Sequence, residues 1–278
     1  MRIQFWGVRG SIARPEPSLS RYGGNTACVT VETTSGHLIV LDAGTGFCRL
    51  GDALMAREFS YGQGELTLLL SHHHLDHILG FLFPAPVYIP GNRFNIYGPT
   101  RSRQQLQEIH EGLVSPSYSP LHSLSNMGAT FNFHPNRPSF TVDGVQITSH
   151  PLPHGDMRSW GYRFDEEGKS LVYMTDVGYP QGVFPAEILA FARDADVLIH
   201  DAHWAEHNLQ PELGHSTSYE AVDFALAAEI RHLIFFHHHP NRSDDAMDEL
   251  LSLHRDRLAQ QGQALTIEAA REGKKVAL

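Results

Sequence analysis

Ser71-His72-His73-His74-Leu75-Asp76-His77 is the stretch on which the reading of this chain turns. It follows Leu66 to Leu70, a continuous apolar run that reads as a buried strand, so the histidines fall where a strand runs out into a loop or helix start. His72 and His74 are two residues apart and share a face if the segment is extended. Asp76 and His77 follow on the turn. Imidazole nitrogen and carboxylate oxygen are ordinary donors for zinc and similar ions. One ion cannot easily use all four groups from so short a segment, but two adjacent ions can, each taking one pair.

Outward from this stretch, the same pattern recurs. Apolar strands are predicted at Arg2 to Trp6, Ala27 to Thr33, His37 to Leu41, Phe94 to Tyr97, Ser170 to Met174, Val197 to Ile199 and His232 to Phe236, with an alternating one at Val142 to His150 ended by Pro151. Helices are predicted at Ser102 to Leu113, Pro185 to Arg193, Ser218 to Glu229 (capped by Ser216 or Thr217) and Asp244 to Gln261. Apolar strands thus run into Asp42, His72, Asp176, His200 and His237, and one edge of a sheet, or of two packed sheets, would collect these groups.

Composition narrows the function class. The 278 residues suit one large domain or two small ones, and no composition break marks a linker. A net charge of -10 argues against a grip on long nucleic acid, which is largely electrostatic. Two cysteines, Cys28 and Cys48, exclude a disulfide scaffold and a four-thiolate zinc site. Nineteen histidines, clustered at 72–74 and 77, 150 and 154, 200 to 215, and 237–239, are the anomaly. The N-terminal residues lack a signal-peptide apolar region. The most apolar stretch, Ile78 to Ile89, is short and carries Pro84 and Pro86, so no membrane span and a cytoplasmic location are expected.

Ser71 to His77 resembles the signature of the metallo-β-lactamase superfamily, and the resemblance extends over nearly the whole chain. Asp42-Ala43-Gly44-Thr45-Gly46 resembles the family's early Asp-Gly loop. Leu152-Pro153-His154-Gly155 is similar to the region of its third metal histidine, Met174-Thr175-Asp176 to the strand with the metal-bridging aspartate, and Phe235-Phe236-His237 to the strand with the last histidine. The resemblance implies an α/β fold, a single αββα sandwich over residues 1–278 with two mixed β-sheets flanked by helices. It implies two divalent metal ions, zinc first, with manganese, iron or nickel as alternatives. His72, His74 and His154 would hold one ion, Asp76, His77 and His237 the other, and Asp176 would bridge them. His150 competes with His154 for its role, and His238 and His239 compete with His237.

Ile199-His200-Asp201-Ala202 followed by Gly214-His215-Ser216-Thr217 resembles the ribonuclease Z and cyclic-phosphodiesterase branch, as do Gly7-Val8-Arg9-Gly10-Ser11 and Tyr22-Gly23-Gly24-Asn25-Thr26. The resemblance gives His215 the role of proton donor or charge stabiliser at the scissile phosphate, and counts Asp76 with it in catalysis. The implied activity is hydrolysis of a small, cyclic-nucleotide-like phosphodiester through a metal-bridging hydroxide, with a homodimer as the implied assembly. Between Asp176 and His200 there is no room for the arm with which ribonuclease Z holds tRNA, so a tRNA 3′-end endoribonuclease is the alternative, beside a lactone or β-lactam hydrolase. A flavodiiron protein would carry glutamate at His74, and a non-enzymatic metal-bound sensor would be expected to have lost ligands. His237-His238-His239-Pro240 departs from relatives that often carry an acidic residue after the paired histidines. Tyr118, Phe83, Tyr88 and Trp160 are candidates to stack on a ring, against the plainer reading that they fill the core.

Overall fold

Alternation decides the first strand: in β1 (Arg2–Gly7) Ile3, Phe5 and Gly7 are buried while Arg2 is exposed. The computed structural model describes residues 1–179, 182–206 and 213–278. Two nearly all-apolar strands follow, β2 (Cys28–Glu32) and β3 (Leu38–Leu41), then α1 (Gly46–Leu54), which buries Phe47, Leu50 and Leu54. β4 (Glu65–Leu69) leads through the histidine-rich stretch to the short α2 (Leu75–Ile78). Next come β5 (Arg93–Gly98), α3 (Arg103–Leu113), whose Ser102 cap accepts from the Gln105 amide, and β6 (Thr130–Pro135). The second half contains β7 (Ser139–Val142), β8 (Val145–His154), β9 (Met157–Glu166), β10 (Lys169–Met174), α4 (Ala186–Ala192), β11 (Val197–Asp201), α5 (Ser218–Ala227), β12 (His232–Phe236), α6 (Asp244–Gln260) and β13 (Thr266–Ala269). β14 (Lys275–Ala277) returns to pair with β1.

The strands form two seven-stranded mixed sheets, ordered β14-β1-β2-β3-β4-β5-β6 and β13-β12-β11-β10-β9-β8-β7. Ile3, Phe5, Val29, Ile39 and Leu41 of the first sheet share a core with Tyr162, Leu171, Ile199 and Phe236 of the second. α1 and α3 cover the outer face of the first sheet, and α4, α5 and α6 that of the second. Burial of each large apolar side chain contributes roughly 1.5–3 kcal/mol, so four layers with three cores hold the sheets face to face. This is the expected αββα sandwich.

β3 and β4 run parallel in one sheet, and β10, β11 and β12 in the other. Crevices at the carboxyl ends of parallel strands are where such folds bind ligands. Asp42 follows β3, His72 follows β4, Asp176 follows β10 and His237 follows β12, so four of the five strand ends meet as expected.

The fifth does not. His200 lies within β11, one residue before its end, and period-2 alternation sends it to the far face. There its Nδ1–H donates to the Asp201 carbonyl, its Nε2 accepts from the Tyr179 hydroxyl, and its ring packs on Phe224. Asp201 takes the place at the strand end.

β8 also outruns its expected stop at Pro151, continuing through Pro153 to His154. Pro151 lies opposite Trp160, whose own amide points away from β8 to the Ser71 carbonyl, so the ladder needs no N–H from Pro151. β6, β7, β9, β13 and β14 were not anticipated. β13 and β14 are only four and three residues long, and Gly161 and scattered charges blur the alternation of β9.

A candidate dinuclear metal centre

Two sets of donors converge at the strand ends. In the first, His154 Nε2 lies 3.3 Å from His74 Nδ1, and Asp176 Oδ1 lies 3.6 Å from His72 Nε2 and 3.7 Å from His154 Nε2. In the second, His237 Nε2 lies 3.2 Å from Asp76 Oδ2 and 3.3 Å from His77 Nε2. Asp176 Oδ2 completes it, 3.2 Å from His77 Nε2 and 3.3 Å from His237 Nε2. Donors around a tetrahedral zinc with bonds of about 2.0–2.1 Å sit about 3.4 Å apart. Each set therefore has the size of one coordination shell, with one oxygen of Asp176 turned to each. The structure thus brings His72, His74 and His154 together on one side of Asp176, and Asp76, His77 and His237 together on the other.

Hydrogen bonds made by the opposite ring atoms fix which nitrogens are free. His77 Nδ1 donates to Asp42 Oδ2 at 2.8 Å, and His154 Nδ1 donates to the Gly214 carbonyl at 3.1 Å. His72 Nδ1 donates to Ser71 Oγ at 3.0 Å, while that hydroxyl donates to Asp42 at 2.8 Å. Each of these rings therefore turns a bare Nε2 into the centre. Asp42 also accepts from the Ser71 amide and the Tyr173 hydroxyl, so one buried carboxylate organises both His72 and His77. On the other side, the Ser11 amide donates to Asp76 Oδ2 at 2.7 Å.

The backbone is bent to deliver these groups. Asp42, Asp176 and His237 have φ of 60°, 51° and 56°, the left-handed region that non-glycine residues adopt uncommonly. Two glycines make room. A Cβ on Gly10 would stand 2.5 Å from the His237 ring, and one on Gly214, at φ 67°, would stand 1.9 Å from the Gly155 amide.

The residues fit divalent cations. Among the described residues, His72 Nε2 is buried without a hydrogen-bond partner, an orphan that an ion would satisfy. Burial would strip the proton from His77, yet Asp176, Asp76 and Asp42 hold it well above the usual histidine range. Burial would raise the Asp76 carboxyl, yet His77 and His237 hold it below the usual carboxylate range. The pocket's carboxylates thus favour positive charge, which bound cations would supply.

His215 stands beside both sets, its ring 5.0 Å from that of His154 and 5.0 Å from that of His237. Its Nδ1 donates to Asp201 Oδ2 at 2.7 Å. Burial alone would lower its pKa, but Asp201 overrides it and raises the value to about 9. His203 stacks on His215 at 4.5 Å, and its amide donates to Asp201 Oδ1.

Among the residues left open by the sequence, His154 and not His150 reaches the centre; His150 packs on Phe191. His238 turns away to donate from Nε2 to the Ala270 carbonyl, and His239 packs on His203 and Trp204. His207 lies outside the described residues. Tyr118 and Phe83 are 84% and 64% exposed, Tyr88 is tied to the Leu82 carbonyl, and Trp160 packs in the core between the sheets. The sequence reading assigned no role to Asp201 or His203, and saw Asp42 as a strand end and the start of the family's Asp-Gly loop, without its bond to His77. Asp201 ends an apolar strand as the others do, but His200 drew attention one residue early.

Comparison with known proteins agrees with this fold. The family model described as the beta-lactamase superfamily domain matches residues 37–238, a span that holds both donor sets and His215. A ribonuclease Z of Methanosarcina acetivorans is 26% identical over 298 aligned positions, covering 88% of this chain and 90% of that protein. A diphosphatase of the PhnP family superposes with a TM-score of 0.68 at 19% identity, over 100% of this chain and 97% of the other. Unliganded yeast PDE1 superposes with a TM-score of 0.71 at 14% identity, over 100% and 99%. The chain belongs to the metallo-β-lactamase superfamily and is a hydrolase of the divalent-metal-binding kind that this fold supports.

Proposed function

We propose that the protein hydrolyses a small phosphodiester, of the size of a cyclic nucleotide, at a centre of two zinc ions held by His72, His74, His154, Asp76, His77, His237 and a bridging Asp176. The observation that carries the reading is the Asp201–His215 pair set equally against the two donor sets. Cations bound there would supply the charge that draws phosphoryl oxygens and the activation of a water. Asp201 holds the His215 ring by Nδ1, so that the opposite nitrogen can present a proton to the leaving oxygen. Asp76 serves as ligand and, through the Ser11 amide on Oδ2, anchors the loop beside the second set.

The named relatives, a ribonuclease Z and a PhnP-family diphosphatase, both act on phosphorus esters or anhydrides, which supports phosphoryl over lactone or lactam substrates. A small substrate is supported over tRNA by the net charge of -10 and by the short path from Asp176 to β11, where α4 is the helix among the described residues. We place the protein in the cytoplasm on its two cysteines, and infer a homodimer from the branch resemblance; among the described residues no helix is long and apolar enough to cross a membrane.

The test is hydrolysis of bis(p-nitrophenyl) phosphate, cyclic nucleotides, a precursor tRNA, a lactone and a β-lactam by one preparation whose metal content is measured. Phosphodiester turnover with about two ions per chain is expected. Turnover of the lactone or lactam alone would overturn the phosphodiester reading, and efficient tRNA cleavage without cyclic-nucleotide turnover would overturn the small substrate.

A further inference from the structure

Gly7-Val8-Arg9-Gly10-Ser11 leaves the end of β1 and, beyond the Ser11 amide, has no part in the proposed chemistry. Two of its residues nonetheless meet the second donor set. The Ser11 amide donates to Asp76 Oδ2 at 2.7 Å, and Gly10 lies so close to His237 that a Cβ on it would stand 2.5 Å from the ring. Beside them is Arg9, whose side chain is fully buried.

Burying a guanidinium is costly unless hydrogen bonds compensate it, so its partners tell what it is for. Arg9 Nε donates to the Gly23 carbonyl at 2.7 Å. Nη1 donates to the Arg242 carbonyl at 2.7 Å and to the His239 carbonyl at 3.1 Å, and Nη2 lies 4.0 Å from Asp244 Oδ1. His239 and Arg242 belong to the turn between β12 and α6, the turn that His237 opens, and Asp244 is the first residue of α6. The backbone closes the same seam: the His238 amide donates to the Val8 carbonyl and the Gly10 amide to the His238 carbonyl, each at 3.0 Å. His237 adjoins this seam at φ 56°, a conformation intrinsically unfavourable for a residue with a Cβ, so its neighbours must hold it there. The first donor set is tied elsewhere, with His154 on the Gly214 carbonyl and His72 on Ser71.

We propose that Arg9 is a positioning residue for the second ion. Its guanidinium fixes the turn from His237 to Asp244 against residues 8–11, and so keeps His237 and Asp76 at the spacing of one coordination shell. The inference rests on the two-ion reading and adds to it a residue that touches neither ion nor substrate. Its effect falls on the Asp76, His77 and His237 set and spares the His72, His74 and His154 set.

The experiment is zinc titration of the full chain against a chromophoric chelator, with the occupancy of each seat read from anomalous zinc scattering in crystals equilibrated with the same chelator. Arg9→Met keeps the apolar stem and removes the donors. It should weaken the ion of the second set by roughly 10–100-fold, the scale of lost support behind a ligand, and leave the other near wild-type affinity. Arg9→Lys, whose ammonium carries three donors, should recover part of the loss. Arg163→Met, which removes guanidinium bonds to the Phe191 and Arg193 carbonyls outside the centre, should change neither affinity. Wild-type affinity for both ions in Arg9→Met, equal weakening of both, or emptying of the His72, His74 and His154 seat overturns the role of Arg9. Should Arg9→Met fail to fold, Arg9→Lys decides alone: several-fold weakening confined to the second seat supports the role, and two wild-type affinities overturn it. A wild-type chain that binds a single ion overturns the two-ion reading itself, whatever the variants do.

Discussion

Replacing Asp42 by Asn is the sharpest test of how the centre is held. Asn tolerates the left-handed backbone that Asp42 adopts at φ 60°, so the perturbation is confined to the side chain. Asp42 Oδ2 accepts from His77 Nδ1, Tyr173 and Ser71 Oγ, each at 2.8 Å, and Oδ1 accepts from the Ser71 amide at 2.7 Å. An amide cannot serve all four: in either orientation its NH₂ faces at least one buried donor. That mismatch costs about 1–3 kcal/mol, and for a domain of this size each kcal/mol lowers Tm by roughly 2–4 °C. The stronger effect falls on the second donor set. Losing the carboxylate partner of a ligating imidazole lowers metal affinity by roughly 10–100-fold. His77 belongs to that set alone, whereas His72 reaches Asp42 only through the Ser71 hydroxyl. Competition with a chromophoric chelator should therefore show one ion held near wild-type affinity and the other weakened. Two ions held with wild-type affinities, or preferential loss from the His72, His74 and His154 set, would refute the argument.

His215→Ala should leave metal content unchanged and cut phosphodiester turnover by roughly 10²-fold or more, the scale of a lost proton donor; wild-type turnover would remove His215 from the chemistry. Asp176→Ala should lower the ion count per chain, since its two oxygens face different donor sets, and a fully loaded variant would show the bridge to be misplaced. His110, packed between Phe81 and Phe133, has its pKa pushed down to about 4 by burial, against the bond to the Leu106 carbonyl. Its folded pKa lies below the unfolded value of about 6.5, so the neutral form's contribution is present above pH 6.5 and is lost as pH falls toward 4. The whole window is worth roughly 3 kcal/mol. Urea unfolding of His110→Phe should accordingly show a shallower loss of stability than wild type between pH 6.5 and 4, and parallel curves would refute it.

Much of this was legible in residue order because the groups sit at the ends of apolar runs. A buried strand must be apolar, so Leu66 to Leu70 and His232 to Phe236 announce themselves, and a polar residue that closes such a run lies at the sheet edge. The spacing of His72, His74, Asp76 and His77 comes from one short segment, so its meaning does not depend on the rest of the fold. Local order brought the helix start to within one residue; of Ser216 and Thr217, the structure makes Thr217 the cap, in a capping box with Glu220.

What the linear pattern left open were choices of face and of partner. His200 and Asp201 are neighbours, and only the pleat of β11 decides that the aspartate meets His215 while the histidine is buried against Tyr179. His150 and His154 are separated by two prolines, and only the pairing of β8 with β9 carries the strand far enough for His154 to arrive. The partition of seven side chains into two sets, and the reach of Asp42 from β3 to histidines after β4, are contacts between segments tens of residues apart. Side-chain identity and local spacing determined by themselves that this chain carries a histidine- and aspartate-rich centre at strand ends. Which atoms face one another was decided by the twist, register and packing of two sheets, because those set distances that sequence separation does not encode.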